Sequence, residues 1–327
     1  MDRNNTGEKN KGYEDSGMDR KLMMANGNKD PIKVLLWGWM GEYNRGINRL
    51  HRLEEENIIQ IMGITGQQIP PWKKLDGYPV IEPESAVNED YDYIIILAGA
   101  HEKEAIDSCR KIGGMGLDRI IPGRLFDLFD FDFLRYLRLR KEGLSVFSND
   151  CWSGFLCQNL AIEQQSPTKN MFMTEADYLR FLPNLTYYLT ECEPVFDRWN
   201  EGGYEGQPFY PVLRLGDIYL YCNHSDNPEE EINKWQRRKK RVNPSNMLFE
   251  FATADPLYMQ EFLDLNLPGR KLCLTTIETK HPDAIQILPL PGISWRDTVN
   301  GVAQSFFPHL SVLDLALGDR PYIRFLT

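Results

Sequence analysis

The chain has 327 residues, 42% of them hydrophobic and 26% charged, a composition that excludes a wholly disordered chain and a collagen-like one. That length is long for one ordinary domain and accommodates two. Lysine and arginine together number 37 and aspartate and glutamate 47, so the net charge of −10 disfavours general binding to nucleic acid, whose phosphates would be repelled.

Apolar segments are short throughout the sequence. None approaches the roughly 18 residues that span a bilayer, and the N-terminal region has no hydrophobic stretch typical of a signal peptide. We therefore expect a cytoplasmic protein, and peripheral contact with the inner membrane face stays open. Six cysteines without a Cys-x-x-Cys pair and five dispersed histidines predict free thiols and no metal site.

In the first part of the chain, a polar N-terminal segment is followed by a regular alternation of strand and helix patterns. Residues 1–29 contain so few apolar side chains that we predict a disordered tail. From residue 30 to residue 143, apolar runs alternate with helical patterns. The predicted strands are Ile32–Trp37, Ile58–Ile64, Tyr78–Ile81, Tyr93–Ala98 and Arg119–Ile121. This alternation predicts an α/β domain with a Rossmann-like, doubly wound parallel sheet.

Ligands of such sheets bind beyond the carboxyl ends of the strands, where a glycine-bearing loop follows the first strand. The candidate nucleotide-binding residues in that crevice are Gly38, Trp39, Gly41, Gly99 and His101. The spacing of Gly38, Gly41 and Gly46 departs from the dinucleotide fingerprint, and no carboxylate follows the second strand, so NAD is not expected. The loop is either a tight strand-to-helix turn or a degenerate nucleotide-sugar site.

Four segments carry a resemblance for this first domain: KVLLWG at 33–38, LDGYPVIEP at 75–83, YDYIIIL at 91–97 and GLDRII at 116–121. Together they resemble a small Rossmann-like module of bacterial capsule and lipopolysaccharide genes, where it precedes sugar acyltransferases and methyltransferase-like domains. The resemblance implies a nucleotide-sugar held at the first glycine turn. Trp39 and Thr65 depart from the pattern of that module.

From residue 144 to residue 327, strand and helix patterns alternate less regularly, which predicts a second α/β (α+β) domain. The predicted strands are Leu144–Phe147, Ile218–Cys222, Leu248–Phe251 and Lys271–Thr275. The predicted helices are Glu175–Leu182, Glu229–Arg241, Leu257–Leu265 and Ser311–Leu317.

The sequence SNDCWSGF follows the first of these strands and opens an apolar segment. Asn149 or Asp150 suits a helix N-cap, which would put Cys151 in the first helical turn, where the helix dipole lowers the pKa of a thiol. A nucleophilic cysteine needs a base, and His224 ends a later strand. The catalytic candidates are Cys151, His224 and Asp150, with Asn149 and Trp152 as substrate contacts. The alternative is that Cys151 is a small buried hydrophobic residue and His224 a loop histidine.

Residues 228–242 (PEEEINKWQRRKKRV) predict a helix with an acidic first turn and a strongly basic end, a local reversal in an acidic chain. Arg237, Arg238 and Arg241 share one face at helical spacing. We predict that they bind the phosphates of a diphosphate or a polyprenyl-phosphate head group, or an anionic membrane surface. A solvated helix whose charges match its dipole is the alternative.

A second resemblance rests on SNDCWSGFL at 148–156, SPT at 166–168, YPVLRLGDIYL at 210–220, KWQRRKKRVN at 234–243 and NMLFEF at 246–251. In this order the segments resemble a bacterial family of unknown function associated with exopolysaccharide or capsular polysaccharide biosynthesis. The resemblance implies a pathway and no particular reaction. Our leading hypothesis is a transferase whose partner is a nucleotide-sugar or a lipid-linked glycan intermediate. Two alternatives stay open: a non-catalytic accessory or scaffold protein, and a papain-like Cys–His hydrolase or acyltransferase.

Overall fold

A computed structural model of the chain describes residues 30–86, 89–113, 116–200 and 209–318. The tail predicted at residues 1–29 lies outside the described residues. Contacts divide the chain into two units, Met1–Gly123 and Arg124–Thr327. The sequence-based prediction starts the second domain later, at residue 144.

The first unit is built on a parallel sheet. Its strands are β1 (Ile32–Trp37), β2 (Ile59–Thr65), β3 (Lys74–Leu75), β4 (Tyr78–Pro79), β5 (Tyr93–Ile96) and β6 (Ile120–Pro122). The order β2-β1-β5-β6 forms the parallel sheet, and β3 pairs with β4 as a separate antiparallel hairpin. Helix α1 (Gly41–Glu55) follows β1, and α2 (Glu102–Gly113) follows β5. The predicted Rossmann-like α/β class is therefore confirmed.

The strands of this sheet are apolar runs because both of their faces are covered. Val34, Leu35 and Leu36 succeed one another along β1, and all three are fully buried. At the end of β1 the chain makes a close approach that only glycine permits. Gly38 has φ +116°, and a Cβ there would lie 2.3 Å from the carbonyl oxygen of Leu97.

The second unit combines a parallel and an antiparallel sheet. Its strands are β7 (Ser145–Phe147), β8 (Val195–Asn200), β9 (Tyr210–Leu215), β10 (Ile218–Tyr221), β11 (Met247–Thr253), β12 (Arg270–Thr275) and β13 (Ala284–Gln286). The order β13-β12-β11-β7 is parallel, and β10-β9-β8 is antiparallel. This mixture confirms the predicted α/β (α+β) class. Because four strands are parallel, their carboxyl ends meet at one edge of the sheet.

Eight helices are described in the second unit. They are α3 (Phe133–Glu142), α4 (Trp152–Asn159), α5 (Glu175–Phe181), α6 (Leu185–Thr190), α7 (Pro228–Lys239), α8 (Pro256–Asp264), α9 (Trp295–Ala303) and α10 (Val312–Leu317). Aromatic rings fill the core between sheet and helices, where Phe147 stacks on Phe249 with 5.5 Å between ring centroids. None of the helices in the described ranges is long and apolar enough to cross a membrane.

The segment between residues 124 and 143 packs with the second unit. Arg124 donates to the main-chain carbonyls of Gln158 and Asn159 at the end of α4. Arg135 on α3 forms a buried ion pair with Asp314 on α10. These polar contacts explain why the division falls at Gly123 rather than after α3.

Candidate functional site

Cys151 lies just beyond β7, at the carboxyl edge of the parallel sheet, and is itself the N-cap residue of α4. The prediction that Asn149 or Asp150 caps this helix is wrong, because the loop runs one residue further before the helix begins. The loop still supplies acceptors for the free N–H groups of the first turn. Asp150 Oδ1 accepts from Trp152 N–H at 2.8 Å, and Ser148 Oγ accepts from Ser153 N–H at 3.1 Å.

The structure brings the predicted nucleophile and base together. The Cys151 sulfur lies 3.1 Å from Nε2 of His224. Cys151 is half-buried and His224 is exposed, whereas the five other cysteines of the chain are buried. A thiol and an imidazole in this contact have the geometry that nucleophilic catalysis requires.

A short main-chain segment joins the cysteine loop to the histidine loop. Met173 N–H donates to the Asn149 carbonyl at 3.0 Å, on the cysteine side. Next to it, Phe172 and Tyr221 exchange two N–H···O bonds of 3.0 and 2.9 Å, on the strand that leads to His224. The two reacting side chains come from different sheets, and this segment fixes the distance between their loops.

The charge state of the sulfur differs from the sequence-based expectation. Burial first, and then the Asp150 carboxylate, raise the pKa of Cys151 to about 11, although a hydrogen bond from Asn223 and the positive charge of Arg296 act in the opposite direction. The prediction of a lowered pKa is therefore wrong, because desolvation and a neighbouring acid outweigh the helix dipole. At neutral pH the resting sulfur is a thiol.

The other predicted residues of this loop face inward. The Asn149 amide both donates to and accepts from the main chain of Ala252, at 3.0 and 2.9 Å, and so fixes the loop to the end of β11. The Trp152 ring is fully buried, and burial raises the pKa of the Asp150 carboxyl. Asn149 therefore holds the loop in place, and the Asp150 carboxyl acts on the pKa of Cys151. The predicted substrate contact Trp152 instead packs in the core.

The basic residues of the predicted phosphate face are mostly paired with protein groups. The helix ends at Lys239 rather than at residue 242, so Arg241 lies beyond it. Arg241 forms an ion pair with Glu163, and Arg238 is half-buried and donates to the Lys169 carbonyl at 2.9 Å. Arg237 is exposed.

The first unit has a cavity of about 680 Å³ at the carboxyl edge of its sheet. Four of the five predicted nucleotide-binding residues line it: Gly38, Trp39, Gly41 and His101. Gly99 does not line it, and a Cβ at that position would collide with the Glu42 side chain. Glu42 and Glu104 also line the cavity, and Glu42 occupies the first turn of α1, where a phosphate would otherwise benefit from the helix dipole.

Sequence reasoning missed three residues of the cysteine site. Asn223 precedes His224, Arg296 lies near the start of α9, and Glu250 is on the central strand β11. Glu250 is fully buried, and both of its oxygens are without a hydrogen-bond partner in the described part of the chain. Its position in the apolar run NMLFEF was the available signal, because a charged residue is rare on a buried strand. In the same ranges, no three His, Cys, Asp or Glu side chains are grouped as metal ligands would be.

Comparison with known proteins places the chain in a family. Residues 123–290 match the family described as a domain of unknown function (DUF1919), and residues 31–121 match the family described as C2185-like, N-terminal. The first match covers half of the chain, so the chain belongs to the DUF1919 family. It is also 29% identical over 118 residues to a Haemophilus influenzae protein named "Uncharacterized protein". That alignment covers 36% of this chain, and the chain spans about half (53%) of the length of that relative.

Proposed function

We propose that this DUF1919 protein is an enzyme that transfers an acyl group through Cys151, with His224 as the base. The observation that carries the proposal is the 3.1 Å contact between the Cys151 sulfur and His224 Nε2. Its support is the position of the pair. The histidine is exposed and the cysteine is half-buried, and Cys151 lies at the carboxyl edge of a parallel sheet, where ligands of such sheets bind.

The raised pKa decides how the sulfur is activated. A thiol with a pKa of about 11 is not ionised at neutral pH, so His224 removes its proton while the sulfur attacks the acyl carbon. A carbon–sulfur bond forms and the bond from the acyl carbon to the leaving group breaks. The leaving group takes the proton from the imidazolium of His224. A hydroxyl group of the acceptor, deprotonated by His224, then attacks the thioester and restores the thiol.

The acyl acceptor or donor of this proposal is a sugar intermediate of bacterial surface-polysaccharide synthesis, nucleotide-linked or lipid-linked. The support is the motif resemblance, above all SNDCWSGFL, which contains the nucleophile. As a site separate from the Cys–His pair, we propose that the cavity of the first unit binds a sugar, because Trp39 and other apolar residues line it. An aromatic ring can cover the apolar face of a pyranose, whereas Glu42 and Glu104 disfavour a bound phosphate there.

One observation favours a second candidate function, a non-catalytic accessory protein of the same pathway. Burial first, and then the neighbouring Asp150, raise the pKa of Cys151, which is opposite to the usual activation of a catalytic thiol. In this case the Cys–His contact would only stabilise the two loops.

The two functions can be distinguished by whether Cys151 is acylated with the help of His224. We expect p-nitrophenyl acetate to acetylate Cys151 in the intact chain, measured as a mass increase on the peptide containing that residue. His224→Gln should slow acetylation at neutral pH by about tenfold or more, because the base is lost. His309→Gln removes an exposed histidine on a different loop and serves as the matched control. Acetylation at equal rates in all three proteins would support the accessory function instead.

A further inference from the structure

Arg296 is an exposed cation that belongs to the cysteine site. It is the second residue of α9, after Trp295. Its charge acts on the Cys151 sulfur and on the Asp150 carboxyl, and in both cases it favours the ionised form. In the ranges that the structure describes, its guanidinium has no hydrogen-bond or ion-pair partner.

Packing of two helices explains this position. Helices α4 and α9 pack against each other. At their carboxyl ends, Asn159 Nδ2 donates to the Ala303 carbonyl at 3.0 Å and to Ser305 Oγ at 2.7 Å. The helices have eight and nine residues. Because the two helices pack together, are similar in length and are joined at their last residues, we infer that their first residues lie on the same side of the unit, which accounts for the effect of the Arg296 charge on Cys151.

The start of α9 is itself held in place. Ser294 Oγ accepts from Asp297 N–H at 3.1 Å, and Trp295 Nε1 donates to the Ile287 carbonyl at 3.2 Å. The carboxylate of Asp297 is occupied by the Ser294 hydroxyl at 2.7 Å. The Asp150 carboxyl is buried and already accepts from Trp152 N–H. Asp297, the next residue along the chain, and Asp150, on which the charge of Arg296 acts, therefore each have another hydrogen-bond partner.

We propose that Arg296 binds an oxyanion, a carboxylate or a phosphate, carried by the substrate next to the group that Cys151 attacks. This inference rests on the proposed function and adds the substrate class. A guanidinium offers paired donors that match either oxyanion, and within the described ranges that of Arg296 has no ion pair to break before a ligand binds. By contrast, Arg238 and Arg241 of the basic segment are engaged by Lys169 and Glu163.

The test compares an anionic and a neutral reagent at the same sulfur. Iodoacetate and iodoacetamide both alkylate thiolates, and Cys151 is the cysteine that is not buried. For Arg296→Gln we expect the ratio of the iodoacetate rate to the iodoacetamide rate to fall about fivefold at low ionic strength, and less in high salt. Arg296→Lys should keep most of the ratio. Arg214→Gln, which removes an exposed arginine on β9, should keep all of it.

The outcomes separate this proposal from the previous one. If Arg296 only offsets the charge of Asp150, Arg296→Gln will change both rates by the same factor, and the oxyanion site is overturned. A Cys151 that reacts with neither reagent overturns both proposals, whereas a reactive Cys151 with an unchanged ratio overturns only this one.

A second arm identifies the oxyanion. Inorganic pyrophosphate or sodium glucuronate, at matched ionic strength, should slow the reaction of iodoacetamide with the native chain and not with Arg296→Gln. Protection by pyrophosphate alone indicates a phosphorylated substrate, and protection by glucuronate alone indicates a carboxylate. Protection by neither counts against the site.

Discussion

Cys151 and His224 are 73 residues apart in the chain and follow strands of two different sheets. A cysteine at a helix start and a histidine at a strand end are local signals, and the structure joins them at 3.1 Å. The raised pKa of the thiol depends on burial and on the Asp150 carboxylate, which follow from packing. The role of Arg296 could likewise not be predicted from the sequence, because this residue is brought to the site by the contact between α4 and α9.

Asp150→Asn should lower the pKa of Cys151. Burial first, and then the charge of this acid, raise that pKa from the ordinary thiol value of 9.0 to about 11. The amide removes the negative charge and still accepts the Trp152 N–H bond, so the pKa should move part of the way back. Ultraviolet absorbance of the thiolate as a function of pH measures it.

Asp226→Asn is the control for this measurement, because it removes an exposed acid from the histidine loop and should leave the titration of Cys151 unchanged. A pKa that stays the same or rises in Asp150→Asn would contradict the assigned role of this carboxylate.

Elements with strong local patterns were predictable, and elements that depend on tertiary contacts were not. The run IKVLLW predicts β1 to the residue. Strand β8 (VFDRWN) escaped prediction because nearly all of its residues are exposed and no alternation marks a buried face. Helix α9 (WRDTVNGVA) contains glycine and polar residues, and its stability comes from packing on α4. The same packing completes the site.

Replacing Glu250 on strand β11 with glutamine should make the free energy of unfolding depend less on pH. Burial, and then the Asp150 charge, raise the pKa of Glu250 well above 4.5 in the folded chain. A raised folded pKa gives stability that is complete below the unfolded pKa and is lost as pH rises through the folded value. The native chain should therefore lose up to about 1.4 kcal/mol per pH unit from this group above about pH 4.5.

Urea unfolding at acidic, neutral and alkaline pH measures that loss. Glu250→Gln should reduce the decline, because an amide stays neutral at every pH. Glu261→Gln on the exposed face of α8 should retain it. An equal decline in both variants would show that Glu250 does not cause it.

At the scale of the whole molecule, the chain consists of two units with separate cores. One core extends from Leu35 to Ile120 and the other from Phe147 to Cys273, and they share no residue. The buried Arg135–Asp314 pair closes the second unit by joining its first described helix to its last. The division into two α/β parts was predictable, because the alternation of strand and helix patterns becomes less regular after residue 143. The position of the boundary depends on contacts of Arg124 and Arg135, which local patterns do not encode.

A fragment with residues 124–327 should therefore fold alone. We expect cooperative thermal unfolding within about 5 °C of the corresponding transition in the full chain, because the second core is complete in the fragment. The rate of Cys151 alkylation by iodoacetamide should also match the full chain. A fragment that is insoluble, or whose Cys151 reacts like the same peptide unfolded in urea, would show that the second unit needs the first.

The hydrogen bonds between the cysteine loop and the histidine loop use only the peptide groups of Phe172 and Met173, while the Phe172 ring also stacks on Tyr221 and Met173 is buried in the core. Every amino acid except proline supplies the same N–H group. Mutational drift can thus replace these side chains with others of suitable size and leave the sulfur and the imidazole aligned. A proline at either position would remove a donor and separate the reacting pair without altering a single reacting atom.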